Sequence, residues 1–413
     1  MTKRIAALVF IFACTSAAWM ILGATIFSRT YSSDSDLKER VASIWGSPQR
    51  QTPPTAAYEV PVTNAVESVE DGRKIVRTIQ KSSTVVMPLE GSGIAVDINL
   101  EPRQKGLLWY RTYKVAFAGY YTFRNTSDKE QLVAFTLLLP SARAVYDDLH
   151  FAVDGVPLAV TPKENAASGT TRIAAGKTTL LKVSYRSQGL DRWGYNFGGE
   201  VAQVRDFVLR MTTNFKAIDF PDNTLSPSEK RETADGWALT WAYKNLLTGY
   251  EIGMELPEKL QPGPLAGRIS YFAPVSLCFF FFLMFIITAL RGIDLHPMNY
   301  FFLAGAFFAF HLLLAYLVDQ ISIYAAFAIC SAVSIFLVVS YLRLVIGLRF
   351  AAVEAGVAQF VYLILFSYAF FLRGFTGLAI TIGSILTLFV VMQMTGRIRW
   401  AEKFAPPSRG LER

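Results

Sequence analysis

The hydropathy pattern is dominated by six apolar runs, each long enough to cross a lipid bilayer. A helix needs about 20 apolar residues to span the hydrocarbon core. The runs cover residues 5–27, 269–290, 298–318, 321–341, 354–372 and 375–395. The pattern therefore predicts six transmembrane helices, of which five form a bundle over residues 269–400.

The first run begins like a cleaved secretion signal, with a basic start and an apolar centre. Lys3 and Arg4 precede it, and Cys14 gives it a faint resemblance to a lipoprotein processing site. The apolar stretch continues beyond the cysteine through Leu22, which is longer than the apolar part of a signal peptide. We predict an uncleaved signal anchor over residues 1–27.

Between the first and second runs the pattern changes to short segments in which apolar and polar residues alternate. Residues 107–125 are rich in aromatic and β-branched residues, and Asp154-Gly155 is a hairpin signal. Alternation with period two is typical of strands. Residues 28–268 are therefore predicted to form a mainly β domain, arranged as an antiparallel sandwich or a stack of sheets.

The two ends of this domain have patterns of their own. Near its start an Asp/Ser cap precedes a short helix, whose apolar stripe either lies on the membrane surface or packs on the domain. The stripe consists of Leu37, Val41, Ile44 and Trp45. The proline-containing segments 46–58 and 257–267 are predicted to be extended linkers.

The segment AAGKTTLL at residues 174–181 is similar to the phosphate-binding turn of an ATPase. Such a turn needs a glycine five positions before the Gly-Lys pair, and it leads from a strand into a helix. Thr171 occupies that position, and the residues after Lys177 alternate as in a strand. We predict a hairpin turn at Gly176 and no nucleotide binding.

Composition and charge support a membrane protein. The chain is 52% hydrophobic and only 17% charged, which is too apolar for an ordinary soluble protein. Much of the net charge of +8 comes from basic residues on one side of the six-span arrangement, as in cytoplasmic loops. They are Lys3, Arg4, Arg291, Arg343, Arg349, Arg397, Arg399 and Lys403. Both termini, including the tail 401–413, are predicted to be cytoplasmic, residues 28–268 to be exported, and nucleic acid not to be a partner.

The chain offers little material for a catalytic or metal site. Its three cysteines all lie in predicted helices, and only one of its histidines, His150, lies in the predicted exported domain. No Cys or His spacing matches a zinc site, and acidic residues in turns of β domains are usually solvated. We predict a protein that is not an enzyme and that holds no cofactor.

Two aromatic clusters in the predicted β domain allow two interpretations. Trp237 and Trp241 alternate onto one face of a predicted strand, and Trp193 lies in a similar segment. Such a face either stacks against sugar rings or lipid, or belongs to the core.

His311 is the main polar residue within the third apolar run. Ionisable groups are costly at this depth and tend to face a partner or a cavity. His311 is therefore either a neutral residue that bonds to a neighbouring helix, or part of a polar path for protons or a ligand. Gln359, Tyr362 and Tyr368 in the fifth run are its predicted partners.

The C-terminal runs resemble the membrane core of the CreD family of bacterial inner-membrane proteins. The resemblance covers about residues 268–400, and its most specific part is a His-Pro-x-x-Tyr element formed by His296, Pro297 and Tyr300. It is carried by YFAPVSLCFFFF (271–282), DLHPMNYFFLAGAFFAFHLLLAYLVD (294–319) and VSYLRLVIG (339–347). The resemblance implies an N-terminal anchor, a large periplasmic domain and a terminal helical bundle. It also implies a role in cell-envelope integrity under a sensor-kinase regulon, with links to colicin tolerance and β-lactam response, and no catalytic residue.

Together these features predict a non-enzymatic inner-membrane protein that supports envelope integrity or the envelope stress response. Its partners would be the lipid bilayer and an envelope component, which is peptidoglycan, lipopolysaccharide or a protein. Two alternatives stay open: a transporter or lipid-handling protein with a polar path near His311, and a periplasmic hydrolase or transferase.

Overall fold

A computed structural model describes residues 2–31, 34–70, 73–198, 202–372 and 374–396. The chain divides into two compact units. The helical unit comprises Met1–Asp34, Gly106–Leu108 and Leu260–Arg413, and the β unit comprises Ser35–Lys105 and Trp109–Lys259. The predicted tail 401–413 and its neighbours Arg397 and Arg399 lie outside the described residues, as does Lys403.

Seven helices occur in the described part of the chain. They are α1 (Thr2–Tyr31), α2 (Asp34–Trp45), α3 (Pro262–Arg291), α4 (Pro297–Leu317), α5 (Ile323–Val345), α6 (Phe350–Phe371) and α7 (Thr376–Thr395). All except α2 are long and apolar enough to cross a membrane, which confirms the six predicted spans. The prediction of a linker over 257–267 is wrong from Pro262 onward. Proline suits the first helical turn because its missing N–H would have no partner there.

The helical unit packs α1 directly against α3 and α4. Trp19 of α1 is fully buried and lies in the same core as residues of all the neighbouring helices. Small residues let the backbones approach, because Gly23 faces Tyr271 and Gly267 faces Phe27. The N-terminal helix is thus a full member of the bundle.

Helix α6 is irregular along much of its length. It contains two π-helical segments, Phe350–Ala355 and Phe360–Leu365, and ends in a 3-10 turn at Ala369–Phe371. Hydropathy predicts only that this segment spans the membrane. π-helical turns are rare and are frequently found at functional sites, so the side chains of α6 are described below.

The β unit contains nearly all of the strands. They are β1 (Gln49–Gln51), β2 (Thr55–Glu70), β3 (Arg73–Val86), β4 (Leu89–Leu100), β5 (Arg103–Lys105), β6 (Leu108–Tyr110), β7 (Thr112–Arg124), β8 (Gln131–Leu138), β9 (Tyr146–Val153), β10 (Val156–Pro157), β11 (Thr161–Lys163), β12 (Ala166–Ile173), β13 (Thr178–Leu190), β14 (Arg192–Tyr195), β15 (Ala202–Thr213), β16 (Glu229–Glu232), β17 (Trp237–Thr248) and β18 (Ile252–Glu255). β1 and the start of β2 lie in the segment 46–58, so the prediction of an extended linker there is wrong.

Three larger sheets organise this unit. Their strand orders are β10-β9-β13-β7-β4-β15-β17-β16, β11-β12-β8-β2-β3 and β1-β14-β18. Most neighbours are antiparallel, but β4 pairs with β15 and β1 pairs with β14 in parallel. The prediction of a mainly β domain is confirmed, and its sheets are largely antiparallel with two parallel pairs.

Alternate residues of the long strands form the core of the β unit. On β7, for example, Val115, Phe117, Tyr121 and Phe123 are buried, whereas the residues between them face outward. Aromatic side chains are prominent in this core, and Phe117 stacks on Tyr185 of β13 at 5.0 Å. Period-two alternation thus places one face of each strand in the interior.

Helix α2 packs on the β unit through a narrower stripe than the sequence predicts. Val41 and Trp45 are buried, and the indole Nε1 of Trp45 donates to the carbonyl oxygen of Tyr113 at 3.3 Å. Ile44 is 69% exposed, so its predicted place in the stripe is wrong. These contacts support the packing interpretation of this helix.

The two predicted turns have different outcomes. Asp154 and Gly155 have φ values of 50° and 84° and connect the antiparallel pair β9 and β10, which confirms the hairpin. At Gly176 (φ 65°) the chain does turn and continue as a strand. The prediction of a hairpin there is nevertheless wrong, because β12 pairs with β8 while β13 pairs with β7 and β9. The turn joins two sheets.

Candidate functional site

His311 is fully buried in the helical unit among aromatic rings. Its Nδ1 lies 2.9 Å from the carbonyl oxygen of Phe307 one turn earlier, and since a carbonyl only accepts, Nδ1 is the protonated nitrogen. The rings of Trp19 and Phe310 meet it edge-on at 5.6 and 4.9 Å. Nε2 has no hydrogen-bond partner among the described residues.

The predicted partners of His311 bond to other groups, so that prediction is wrong. Gln359 is fully buried, and its Nε2 donates to the hydroxyl of Ser334 at 2.7 Å. The Ser334 hydroxyl in turn donates to the carbonyl oxygen of Ala306 at 2.8 Å. Tyr368 is half exposed and stacks on Phe371. Gln359 therefore links α6, α5 and α4 through a chain of hydrogen bonds.

Tyr362 lies in the second π-helical segment of α6 and joins two further helices. Its hydroxyl donates to the hydroxyl of Thr387 on α7 at 3.0 Å. Its backbone carbonyl accepts a hydrogen bond from the hydroxyl of Ser276 on α3. Gln359 and Tyr362 thus fix α6 to its neighbours. These contacts within the bundle are sufficient to explain why both polar side chains are buried.

The His-Pro-x-x-Tyr element begins α4. His296 is the N-cap and its Nδ1 accepts from the backbone N–H of Met298 at 3.2 Å, while Pro297 occupies the first helical position. Tyr300 is fully buried, its ring meets Phe281 edge-on, and its hydroxyl lies 3.4 Å from that of Thr288. The element fixes the start of α4 against the end of α3.

The three tryptophans singled out in the sequence occupy the core or the edge of the β unit. Trp193 and Trp241 are fully buried, and the Nε1 of Trp241 donates to the carbonyl oxygen of Leu225 at 2.8 Å. Trp237 is partly buried, and its Nε1 donates to the carbonyl oxygen of Lys216 at 2.9 Å. This placement supports the core interpretation over a face that stacks on sugar or lipid.

A cleft lined by polar and charged residues lies on the face of β14 opposite to the face that carries Trp193. It is an open cleft of about 480 Å³ over the sheet β1-β14-β18, which we call the polar cleft. Its lining consists of Pro48, Gln49, Arg50, Arg192, Gly194, Asp222, Asn223, Gly249 and Glu251. In the parallel pairing of β1 with β14, Arg50 lies opposite Gly194. Arg192 precedes Gly194 by two residues, so its side chain lies on the same face of the sheet.

A nearly buried carboxylate organises the polar cleft. The side chain of Glu251 is 13% exposed, and its Oε2 lies 2.6 Å from Nη2 of Arg50. Its Oε1 accepts a hydrogen bond from Nη2 of Arg192. A carboxylate at this depth requires ion pairing and hydrogen bonds to offset its lost hydration. Both guanidinium groups pair with it and Arg192 also donates a hydrogen bond, whereas Oε2 has no hydrogen-bond partner among the described residues.

Gln49 borders the cleft, but its side chain points to the face that carries Trp193, because the two residues are register partners in β1 and β14. It is 2% exposed, and its Nε2 donates to the hydroxyl of Ser187 at 2.7 Å and to the carbonyl oxygen of Gln188 at 2.9 Å. The second contact fixes the orientation of the amide, because a backbone carbonyl only accepts. Oε1 of Gln49 has no hydrogen-bond partner among the described residues.

The polar cleft has little signal in the sequence. Gln49 and Arg50 lie in a segment whose prolines predict a linker, and Arg192 lies beside the more conspicuous Trp193. Glu251 comes from a third segment, and only the fold brings these residues together. Because neighbouring residues of a strand face opposite ways, the inward position of Trp193 implies that Arg192 faces outward. This alternation is the feature of the sequence that points to the cleft.

A comparison with known protein families identifies the helical region. Residues 230–401 match the family model described as inner membrane protein CreD. The resemblance seen in the sequence is thereby confirmed over these residues, and with its six apolar helices this chain is a multi-pass inner membrane protein. Comparison with curated protein sequences finds no match.

Solved structures give only distant likenesses to this chain. A candidate nutrient binding protein from Legionella pneumophila is 11% identical with a TM-score of 0.34, over 47% of this chain and 71% of that one. An M1 zinc metallopeptidase mutant from Deinococcus radiodurans, bound to a Tyr-Ser-Ala substrate, is 12% identical with a TM-score of 0.26, over 75% and 88% of the two chains. No cluster of three or more metal-ligating side chains occurs among the residues that the structure describes.

Proposed function

We propose that this protein supports cell-envelope integrity, and that its β unit recognises an envelope component on the periplasmic side of the inner membrane. The polar cleft carries the proposal. It is a preformed concave site with several convergent polar groups, which is the usual form of a small-molecule site. The family match of residues 230–401 supports a location in the inner membrane. The sequence resemblance to the same family supports the envelope role.

The cleft favours binding over catalysis. Its described lining has two guanidinium groups, two carboxylates and two amides, but no serine, cysteine, lysine or histidine that would serve as a nucleophile or a neutral-pH base. Its central carboxylate, Glu251, is engaged by Arg50 and Arg192. We therefore propose a receptor or scaffold and not an enzyme.

Ion pairs at the two ends of the helical unit support the proposed alternation of the spans, in which both termini lie on the same side. Arg29 near the end of α1 pairs with Asp319 just after α4, at 3.3 Å. Arg291 at the end of α3 pairs with Glu354 near the start of α6. In a six-span chain that alternates direction, the first pair falls on the exported side and the second on the cytoplasmic side.

Complementation in the native host tests the proposal. A strain that lacks the gene would receive either the wild-type protein or the double variant Arg50→Gln/Asp222→Asn, and its growth would be measured in detergent and in a β-lactam. We expect the double variant to fail as the empty vector does, because it removes charges of the cleft. The matched control is Arg172→Gln, a 77% exposed arginine of the same unit that pairs only with Glu130.

Equal amounts of all variants in the membrane fraction, measured by immunoblot, are required for this comparison. Growth of the double variant at the wild-type level would refute the recognition role of the cleft.

A further inference from the structure

We propose that the polar cleft binds an amino acid or a short peptide through its ammonium and carboxylate groups. This inference rests on the proposed function, because it takes the cleft as the recognition site, and it names the chemical class of the ligand. Two features of the lining carry it: two arginines held by a shared carboxylate, and an additional free carboxylate.

The arginines offer a site for the ligand carboxylate. Each guanidinium carries five N–H donors, and Glu251 occupies one nitrogen of Arg50 and one of Arg192. The side chains remain 61% and 36% exposed, so other donors face the cleft. Planar guanidinium groups bind carboxylates through two parallel hydrogen bonds. Glu251 also holds both groups in place, so little side-chain entropy is lost when a ligand binds.

A free carboxylate in the cleft favours a ligand that donates hydrogen bonds. Asp222 is exposed in the lining and has no ion pair within the described part of the chain. An ammonium or amide N–H of the ligand would pair with this carboxylate.

The charge balance separates this ligand class from polyanions. The lining carries two arginines and two carboxylates, so it is formally neutral, with positive and negative groups at separate positions. A polyphosphorylated ligand would bring several negative charges to a lining of zero formal charge and would face the exposed carboxylate of Asp222, which costs affinity. A zwitterion matches both signs. The volume of about 480 Å³ also falls within the range of small-molecule sites, roughly 300–1,000 Å³.

Calorimetric titration of the full chain in detergent micelles tests the proposal. The probes are alanine and alanyl-alanine, with N-acetylalanine lacking the ammonium, alanine amide lacking the carboxylate, and inorganic phosphate as an anion without a donor nitrogen. We expect alanine or alanyl-alanine to bind at least about tenfold more tightly than any of the three controls. A tenfold difference in dissociation constant corresponds to about 1.4 kcal/mol, which is the size of one lost charged contact.

Two variants assign the ends of the ligand. Asp222→Asn keeps the shape of the side chain and removes its charge, so it should weaken alanine about tenfold and leave N-acetylalanine unchanged. Arg50→Gln should weaken both about tenfold. Arg172→Gln, outside the cleft, should bind like the wild type. Equal melting temperatures of the four proteins would show that the variants fold.

Three outcomes overturn the inference. In the first, the folded wild-type chain binds none of the amino acid or peptide probes at about 10 mM, a concentration well above a millimolar dissociation constant. In the second, phosphate binds as tightly as alanine. In the third, both cleft variants bind alanine like the wild type. Any of these, together with failed complementation by the double cleft variant, would leave the cleft as a recognition site for another ligand. Normal complementation by that variant would instead refute the proposed function.

Discussion

At the scale of single residues, buried tyrosines set the chemistry of the interior of the β unit. The hydroxyl of Tyr185 donates to Oε1 of Gln51 at 2.7 Å, and that of Tyr113 donates to the carbonyl oxygen of Arg192 at 2.8 Å. Burial raises the pKa of Tyr113, Tyr185 and Tyr195 well above the ordinary value of about 10. The physical cause is the lost hydration of the phenolate.

These tyrosines predict that the β unit loses stability in alkali. Burial raises the pKa of Tyr146 to about 12, and the more deeply buried tyrosines lie higher. Above about pH 10 the unfolded chain releases protons that the native state retains, so the free energy of unfolding falls as the pH rises. Below pH 10 both states keep these protons and this contribution to the stability is fully present.

Tyrosinate absorbance and circular dichroism of the full chain, followed together from pH 9 to 13, measure this effect. The chain has 18 tyrosines. We expect the exposed ones to ionise first and the buried ones to ionise together with the loss of β structure. Ionisation of all of them near pH 10 with the β structure intact would contradict the prediction.

The polar cleft shows what residue patterns alone cannot supply. Each of Gln49, Arg192 and Glu251 looks like an ordinary surface residue in its own segment, because charged side chains are mostly solvated. The shared carboxylate that holds two arginines appears only when β1, β14 and β18 form one sheet. His311, in contrast, was recognisable from its cost at mid-membrane, although its bonding partners were not.

At the scale of elements, glycine and tyrosine pairs fit neighbouring strands together. Gly189 of β13 lies directly opposite Tyr113 of β7, and a Cβ at Gly189 would collide with the Tyr113 ring and hydroxyl. The hydrogen bond of that hydroxyl to Arg192 and the full burial of the ring hold Tyr113 in place. The bare backbone of Gly189 is therefore required by the packing of the ring.

We predict that Gly189→Ala lowers the free energy of unfolding by about 1–3 kcal/mol, the usual cost of overpacking a core. The matched control is Gly93→Ala in β4 of the same sheet, where no atom lies within 4 Å of an added Cβ. The control should be neutral or stabilise slightly. Thermal unfolding of the full chain in detergent, monitored by near-ultraviolet circular dichroism, measures both. Equal melting temperatures would contradict the prediction.

Helices and strands could be predicted from the sequence wherever a single physical constraint decides the secondary structure. The six spans were found because a backbone in lipid must satisfy its own hydrogen bonds as a helix, which demands long apolar runs. The long hairpin of β2 and β3 was missed because its sequence is mostly polar and lacks the clear alternation of β7. The π-helical segments of α6 were missed because hydropathy depends on composition and not on the hydrogen-bond register.

At the scale of the whole molecule, the proposed topology is directly testable. In a variant whose three cysteines are replaced by alanine, Lys129→Cys places one thiol on an exposed turn of the β unit, and Leu348→Cys places one at the exposed connection of α5 and α6. Impermeant maleimide on spheroplasts should label the first variant at once and the second only after permeabilisation. The reverse pattern would contradict the orientation of both termini.

The parallel pairing of β4 with β15 has a consequence for biogenesis. The pair joins residues that lie 115 positions apart, such as Asp97 and Thr212, and β4 occupies the middle of the eight-stranded sheet. Pairings this distant in sequence form slowly, since much chain must be ordered before they stabilise it. If the β unit is exported as we propose, its largest sheet cannot close until residue 213 has crossed the membrane. The segment must therefore pass through the translocation channel unfolded and complete its fold on the far side, while α1 already holds the nascent chain at the bilayer.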